Sequence, residues 1–187
     1  MSEEISEDDR TTAVGIIGFS LEYFAAAVAA HEKLEAGAPG GIATVPVYNL
    51  AGQSIELALK AFLRQQGTDP AKLKKMLHNL NTVMDRAEEA GLEHSVDRQQ
   101  LSLLNREYAA HRFRYIRTGY VQLLTSEHLF RLTAAVFEPC IVAIPTAWRF
   151  MWRPSGKVVS DAGWLSPTSI KKASPAENPK QRIRKTP

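Results

Sequence analysis

The stretch Arg112–Arg117 alternates cationic with apolar or aromatic side chains, in the order Arg-Phe-Arg-Tyr-Ile-Arg. Guanidinium groups bind phosphates and aromatic rings stack on bases, so this pattern is able to hold a nucleic acid through Arg112, Arg114 and Arg117. The alternative is that these cations stabilise the C-terminal end of a helix. Further basic residues near the end of the chain are able to add salt-dependent binding to nucleic acid: Lys171, Lys172, Lys180, Arg182, Arg184 and Lys185.

Glu56 and Lys60 are a second group of residues that could take part in chemistry. They stand four residues apart in the order that favours an ion pair on a helix. By contrast, three histidines lack partners at the spacing of metal ligands: His31, His94 and His128. The sequence therefore predicts no metal site and no cofactor. The single cysteine excludes an internal disulfide and indicates a reducing compartment.

The segment from Pro46 to Gly67 predicts the helix that positions these groups. Its apolar residues cover one broad face of a helix, and its polar residues form a narrow stripe: Asn49, Gln53, Glu56, Lys60 and Arg64. Pro46 suits the first turn, and Gly67 suits the left-handed position just past the end. A face this wide must pack against several neighbours, which we expect to be the first, fourth and fifth helices.

The rest of the chain also has helical periodicity, and no stretch alternates with a period of two. The predicted boundaries are about Thr12–Leu34 for the first helix, Ala71–Ala90 for the third, Arg98–Arg117 for the fourth and Ser126–Ile141 for the fifth. His78 and Asn79 are expected to break the third helix in two, and Pro139 and Pro145 to kink or divide the fifth. The sequence predicts an all-α, up-and-down bundle of four to five helices.

Charge is unevenly distributed along the chain. The 187 residues, 44% of them hydrophobic, are enough for one domain with a core. Residues 153–187 hold eight of the 23 Lys and Arg but only two of the 20 Asp and Glu, so the part before them is mildly acidic. We expect a disordered acidic lead at residues 1–11, the helical bundle at 12–152 and a flexible basic tail at 153–187.

One stretch, Ala13–Ala30, is apolar enough to suggest a signal peptide or a membrane span. Its N-terminal flank is acidic where a signal peptide is basic, and Glu22 stands in its middle, where lipid would make a charge costly. We therefore predict a core helix in a cytoplasmic protein that does not associate with a membrane.

Four short motifs follow one another between Pro46 and Tyr115: IELALKAFL, then LHNL at Leu77–Leu80, RAEEAGL ending at Leu92, and LNREYAAHRFRY. Together they resemble the HEPN superfamily, in particular its bacterial branch with a Glu-Leu-x-Leu-Lys helix followed by a His-x-Leu turn. Asn79 stands where that branch more often has Asp. The resemblance implies a bundle of four or five helices, usually a homodimer, found in RNA-cleaving toxins, phage-defence proteins and non-catalytic partner proteins.

The resemblance also implies a catalytic pair, because the nucleases of this superfamily carry an Arg followed after four to six residues by a His. Arg106 and His111 match this signature, although Glu107 stands where the family prefers Asn, Asp or His. An imidazole is able to take the proton from a ribose 2′-hydroxyl, and a guanidinium stabilises the charge on the attacked phosphate. The implied products are a 2′,3′-cyclic phosphate and a 5′-hydroxyl, without a metal ion.

Two interpretations of this pair stay open. On a continuous helix Arg106 and His111 lie about 140° apart, so catalysis needs the reach of the long Arg side chain, a local distortion or a second subunit. The structural alternative makes His111 a hydrogen-bonded residue at the core edge beside Tyr108 and Tyr115, with Arg106 in solvent. Glu56 and Lys60 then either support the catalytic groups or hold the turn at His78, which Asn79 caps.

Three functions follow from these alternatives. The first is a metal-independent ribonuclease of a toxin–antitoxin or phage-defence system. The second is a non-catalytic HEPN module that binds a partner protein, a nucleotide or RNA, with an antitoxin or a nucleotidyltransferase-type protein as the expected partner. The third is a helical bundle whose tail alone binds nucleic acid.

Overall fold

The computed structural model describes residues 11–35, 44–115 and 122–165, and every regular element among them is helical. The predicted all-α class is confirmed for this part of the chain. The helices are α1 (Ala13–Glu35), α2 (Val45–Gln65), α3 (Pro70–Lys75), α4 (Leu80–Glu89), α5 (Arg98–Ala109), α6 (Ser126–Ala143) and α7 (Pro154–Asp161), with a 3₁₀ helix at Ala147–Trp152. The predicted acidic lead, apart from Thr11, lies outside the described residues.

Helix α2 is the central element of the bundle. It packs against α1, α5 and α6, as its wide apolar face predicts, and also against α3 and α4. Ile55, Leu59 and Phe62 are buried on this face, and full burial of such a side chain contributes about 1.5–3 kcal/mol. The end markers are confirmed, because Pro46 lies in the first turn and Gly67 adopts a φ of +88° after the helix.

Helix α1 lies along α2, and a pair of buried serines joins the two helices. The hydroxyl of Ser20 donates to the carbonyl of Ser54 over 2.8 Å, and the hydroxyl of Ser54 donates to the carbonyl of Ser20 over 2.9 Å. Among the described residues, one helical stretch, Ala13–Leu34, is long and apolar enough to cross a membrane by length and composition. Of its 18-residue window, 44% is buried inside the bundle.

The break expected at His78 and Asn79 is confirmed, because α3 ends at Lys75 and α4 begins at Leu80. Asn79 caps α4 through its side-chain oxygen, which accepts from the backbone N–H of Thr82. The buried Asn105 of α5 holds the same corner, since its side-chain oxygen accepts from the backbone N–H of Leu80 over 2.7 Å. The turn that carries His78 is thus fixed by the cap at the start of α4 and by the hydrogen bond from α5.

One predicted boundary of the later helices is wrong. Helix α5 ends at Ala109 rather than Arg117, because the chain turns into a left-handed conformation at His111, where φ is +56°. Helix α6 is not divided at Pro139 but continues to Ala143.

The predicted flexible tail also begins too early. Residues 154–161 form α7, which packs against α1 and the 3₁₀ helix. Gly156 allows this approach, since a Cβ there would lie 2.4 Å from the Cα of Met151. Val159 is buried, and the ring of Trp164 lies 5.0 Å from that of Phe130. These few apolar residues were too sparse to indicate a helix from the sequence. The rest of the predicted tail, residues 166–187, lies outside the described part.

Gly52 of α2 allows α5 to pack closely, because a Cβ at this position would lie 2.5 Å from the ring of Tyr108. In a helix interior Gly→Ala ordinarily stabilises by about 1 kcal/mol. Here we expect Gly52→Ala to destabilise by roughly 1–3 kcal/mol in urea unfolding, because the Tyr108 ring must move. In a Tyr108→Ala background the same change should cost nothing. Stabilisation by Gly52→Ala in the otherwise unchanged protein would contradict the described packing.

Candidate functional site

The candidate site is centred on Glu56, a carboxylate of α2 that is only 2% exposed. Three side chains bind it: Lys60 Nζ lies 2.7 Å from Oε1, while His78 Nδ1 at 2.9 Å and the Tyr108 hydroxyl at 2.8 Å lie close to Oε2. Lys60 also donates to the carbonyl of Leu77 over 3.0 Å. The predicted ion pair of Glu56 with Lys60 therefore holds the turn at His78, and it belongs to a larger polar cluster.

The surroundings of Glu56 favour its ionised form. Burial by itself would raise its pKa, but the hydrogen bond and positive charge of Lys60, with the hydrogen bonds of His78 and Tyr108, outweigh burial and lower the pKa below the ordinary value of 4.5. An ionised carboxylate only accepts hydrogen bonds. The Nδ1 atom of His78 must therefore carry the proton that joins it to Glu56, which leaves Nε2 as the nitrogen able to accept a proton.

Tyr108 closes the cluster from the end of α5. Its hydroxyl lies 2.8 Å from both Glu56 Oε2 and Gln53 Oε1. Because a hydroxyl has one proton and the carboxylate is the stronger acceptor, we assign that proton to Glu56. Burial and the negative charge of Glu56 raise the pKa of Tyr108 well above its usual range, so it remains a neutral donor. The guanidinium of Arg114 lies 5.9 Å from the Tyr108 ring centre and 3.3 Å from Gln53 Oε1.

His111 stands beside this cluster, with its ring centre 5.1 Å from that of His78 in an edge-to-face arrangement. The backbone places it there, because the N–H of His111 bonds the carbonyl of Tyr108 and the N–H of Arg112 bonds that of Glu107. This pattern is the Schellman ending of a helix, which requires a left-handed residue at His111. The imidazole is half-buried, and its Nδ1 is enclosed without a hydrogen-bond partner among the described residues.

A histidine at this helix end is unusual within this chain. Helices α2, α4 and α7 place Gly67, Gly91 and Gly163 at the corresponding position, each with positive φ. A side chain in the left-handed region costs of order 1 kcal/mol that glycine avoids. Leu77, directly before His78, also has positive φ, at +50°. Both imidazoles are thus held by backbone conformations that disfavour side chains, and strained residues of this kind are typical of functional sites.

Arg106, the other half of the predicted catalytic pair, binds a different group. Its Nε lies 2.9 Å from Oε1 of Glu107, and Nη1 of Arg112 lies 3.0 Å from Oε2 of the same carboxylate. Glu107 is buried, whereas the side chains of Arg106 and Arg112 are 56% and 43% exposed. The structure therefore brings His111 to His78, and it brings Arg106 to Glu107. One residue of the sequence indicated this arrangement, because Glu107 stands where the superfamily that the motifs resemble prefers Asn, Asp or His.

The aromatic residues of the predicted RNA-binding stretch take different environments. Phe113 turns inward, with its ring centre 5.4 Å from that of Tyr48. Tyr115 is 69% exposed rather than part of the core edge. Arg112 and Arg114 are exposed on the same stretch as Tyr115, and Arg117 lies outside the described residues.

Gln53 and Asn49 belong to the site and were not singled out by their chemistry in the sequence. Gln53 contacts Tyr108 and Arg114, and Asn49 Oδ1 lies 3.4 Å from Arg114 Nε. The sequence feature that could have indicated both residues is the polar stripe of α2, to which Glu56 also belongs. Two open grooves of about 480 Å³ and 550 Å³ lie elsewhere and contain none of these residues. Within the described ranges, no three His, Cys, Asp or Glu side chains are grouped to hold a metal ion.

Comparison with known proteins gives no relative, because no family model, no curated protein and no solved structure matches this chain.

The left-handed conformation of His111 has a measurable cost. We expect His111→Gly to be more stable than His111→Ala by about 1 kcal/mol in urea unfolding, since both variants lose the imidazole and only alanine keeps the strain. Ala110→Gly, one residue earlier at a φ of −79°, should instead lower stability, because a side chain is not strained at this negative φ. Equal stability of the two His111 variants would mean that the helix does not end in this conformation.

The ionised Glu56 makes stability depend on pH. Because its folded pKa is lowered, Glu56 contributes stability above its unfolded value of 4.5, and this contribution is lost as the pH falls through the folded pKa. We expect Glu56→Gln to lack this part of the acid-induced loss when unfolding is measured from neutral to acidic pH. Glu127→Gln is the control, because Glu127 is 61% exposed in its pair with Arg131. An unchanged acid profile in Glu56→Gln would contradict a carboxylate stabilised by its partners.

Proposed function

We propose that this chain is a HEPN-like, metal-independent endoribonuclease whose acid–base pair is His78 and His111. The observation that carries the proposal is the pair of imidazoles 5.1 Å apart, one of them bound through Nδ1 to a buried carboxylate. Two neighbouring imidazoles are able to act as base and acid in one reaction, and a carboxylate behind one of them fixes its tautomer. The proposal keeps His111 from the resemblance and replaces Arg106 with His78.

In the proposed reaction His78 is the base. Its Nε2 takes the proton of the ribose 2′-hydroxyl, and the resulting positive charge is stabilised by Glu56. The 2′-oxygen attacks phosphorus, the bond from phosphorus to the 5′-oxygen breaks, and protonated His111 gives its proton to the leaving 5′-oxygen. The single strand is thereby cleaved into a fragment with a 2′,3′-cyclic phosphate and a fragment with a 5′-hydroxyl. His78 ends with the proton of the 2′-hydroxyl, and His111 ends without the proton that it gave to the 5′-oxygen, so the step balances.

Cations around the imidazoles support a polyanionic substrate. Arg114 lies against the Tyr108 ring, next to the His78 and His111 pair, and its guanidinium keeps N–H donors beyond its long contacts with Gln53 and Asn49. We assign to Arg114 the stabilisation of the negative charge that develops on the attacked phosphate. Arg106 and Arg112 both bind the carboxylate of Glu107, so we do not assign them to the attacked phosphate. We assign them to neighbouring phosphates of the RNA strand.

A non-catalytic HEPN module is the second candidate function. The observation that favours it is that Glu56 uses its oxygens on Lys60, His78 and Tyr108. His78 joins α2 to the α3–α4 turn and Tyr108 joins it to α5, while Lys60, itself in α2, also binds that turn at the carbonyl of Leu77. Such a network has a structural use without any reaction. In either case we propose a cytoplasmic homodimer in a toxin–antitoxin or phage-defence system, with RNA, an antitoxin or a nucleotidyltransferase-type protein as partner.

The test is cleavage of RNA oligonucleotides by the purified protein in EDTA, with analysis of the ends. We expect 2′,3′-cyclic phosphate ends and no cleavage where the attacking ribose is replaced by deoxyribose. His78→Ala and His111→Ala should each lower the rate by at least about 10²-fold. His128→Ala is the matched control, because His128 is an exposed residue bound to Thr125 at the start of α6.

Arg106→Ala separates this proposal from the pair that the family signature implies. We expect it to raise KM while kcat stays near that of the unchanged protein, because Arg106 touches a neighbouring phosphate and not the reacting one. Intact RNA after incubation with folded protein would overturn the nuclease proposal and favour the binding module. Full activity of His78→Ala would overturn the assignment of the base.

A further inference from the structure

Helix α1 has an outer face that the described part of the bundle leaves mostly exposed, although Phe19 and Glu22 border a groove of about 260 Å³ with Phe150 and Arg153. Phe19, on this face, is 61% exposed, and Ala26 and Ala29, about two and three turns nearer the C-terminal end of α1, are also exposed. Ile16 and Tyr23 are half-buried at its edge. The 18-residue window that gives α1 its membrane-like hydropathy is only 44% buried, so α1 carries more apolar surface than the described part of the bundle covers.

The residues of this face recur with the spacing of a helix–helix seam. Its central line steps alternately by four and three residues, the 3.5-residue repeat that keeps one stripe facing a partner helix. The line consists of Gly15, Phe19, Glu22, Ala26, Ala29 and Lys33. Alanines at its centre let two helix axes approach to about 8 Å.

The two charges on this face identify the partner. Glu22 and Lys33 are both exposed, and the ion pairs among the described residues include neither of them. Arg153 borders the same groove as Glu22 without an ion pair to it in this part of the chain. If a second α1 packs antiparallel across Ala26 and Ala29, Glu22 of each copy lies opposite Lys33 of the other. A parallel pair would instead place Glu22 against Glu22 and Lys33 against Lys33. The charge pattern is thus complementary to itself in one orientation only, as a two-fold interface requires.

We propose that two copies of this chain associate through an antiparallel α1–α1 contact centred on Ala26 and Ala29. A lipid surface fits less well, because Glu22 and Lys33 lie on the uncovered face itself, where burial in lipid is costly. The proposal does not depend on ribonuclease activity, since α1 contributes no residue to the cluster around Glu56. It specifies the surface and the orientation of the homodimer that the family resemblance only names.

The first experiment measures the mass of the full chain by light scattering or sedimentation at several concentrations. We expect twice the 20.7 kDa of one chain. Ala26→Arg should give the single mass with an unchanged helical circular dichroism spectrum, because the small residue at the contact is lost. Glu32→Arg is the matched control, since Glu32 is exposed on α1 about 100° around the helix from the central line of the face, and this variant should remain dimeric.

Charge reversal then tests the orientation. Glu22→Lys and Lys33→Glu should each weaken the homodimer, because each places like charges opposite one another twice. The double variant should restore the dimer, and an equimolar mixture of the two single variants should form a heterodimer with both pairs complementary.

A monomeric wild-type chain, or a dimer that Ala26→Arg leaves intact, would overturn the α1 interface. A dimer that Ala26→Arg disrupts, with no rescue in the double variant or the mixture, would overturn the antiparallel register. Neither outcome bears on RNA cleavage, so the two proposals fail separately.

Discussion

The ionised carboxylate of Glu56, buried in the middle of α2, is the constraint on which the candidate site depends. A buried charge is costly unless other groups bind it, and removing one partner of a buried pair typically costs about 3–5 kcal/mol. Lys60, His78 and Tyr108 supply that binding from α2, from the α3–α4 turn and from α5. The same contacts therefore stabilise the fold and fix the orientation of an imidazole. Gly52 permits them, because its missing side chain leaves room for the Tyr108 ring.

Local patterns allowed much of this arrangement to be predicted. The polar stripe of α2 follows from helical periodicity, and the break at His78 follows from the capping preference of Asn79, so both could be predicted from the sequence. The motifs that resemble the HEPN superfamily also contain Glu56, Lys60 and His78. The HEPN assignment itself stays a proposal, because none of the three comparisons gives a match that tests it.

The meeting of His78 with His111 could not be predicted in the same way. It joins residues 33 positions apart, and it depends on α5 ending at Ala109. The helical periodicity predicted a longer helix, to Arg117, because a histidine and not a glycine occupies the left-handed position that ends α5. The same extension made Arg106 and His111 a pair on one helix. Glu107 binds the Arg106 guanidinium, and no local rule indicates which of several nearby cations a buried carboxylate will bind.

The central claim is that Glu56 holds His78 in one tautomer, with the proton on Nδ1 and Nε2 open to a substrate. The imidazole ¹⁵N chemical shifts and long-range ¹⁵N–¹H couplings of His78, measured by NMR at alkaline pH, report this directly. The account predicts the Nδ1–H tautomer in the unchanged protein and its loss in Glu56→Gln. An Nε2–H tautomer in the unchanged protein would contradict it, because Nδ1 could then not donate to the carboxylate.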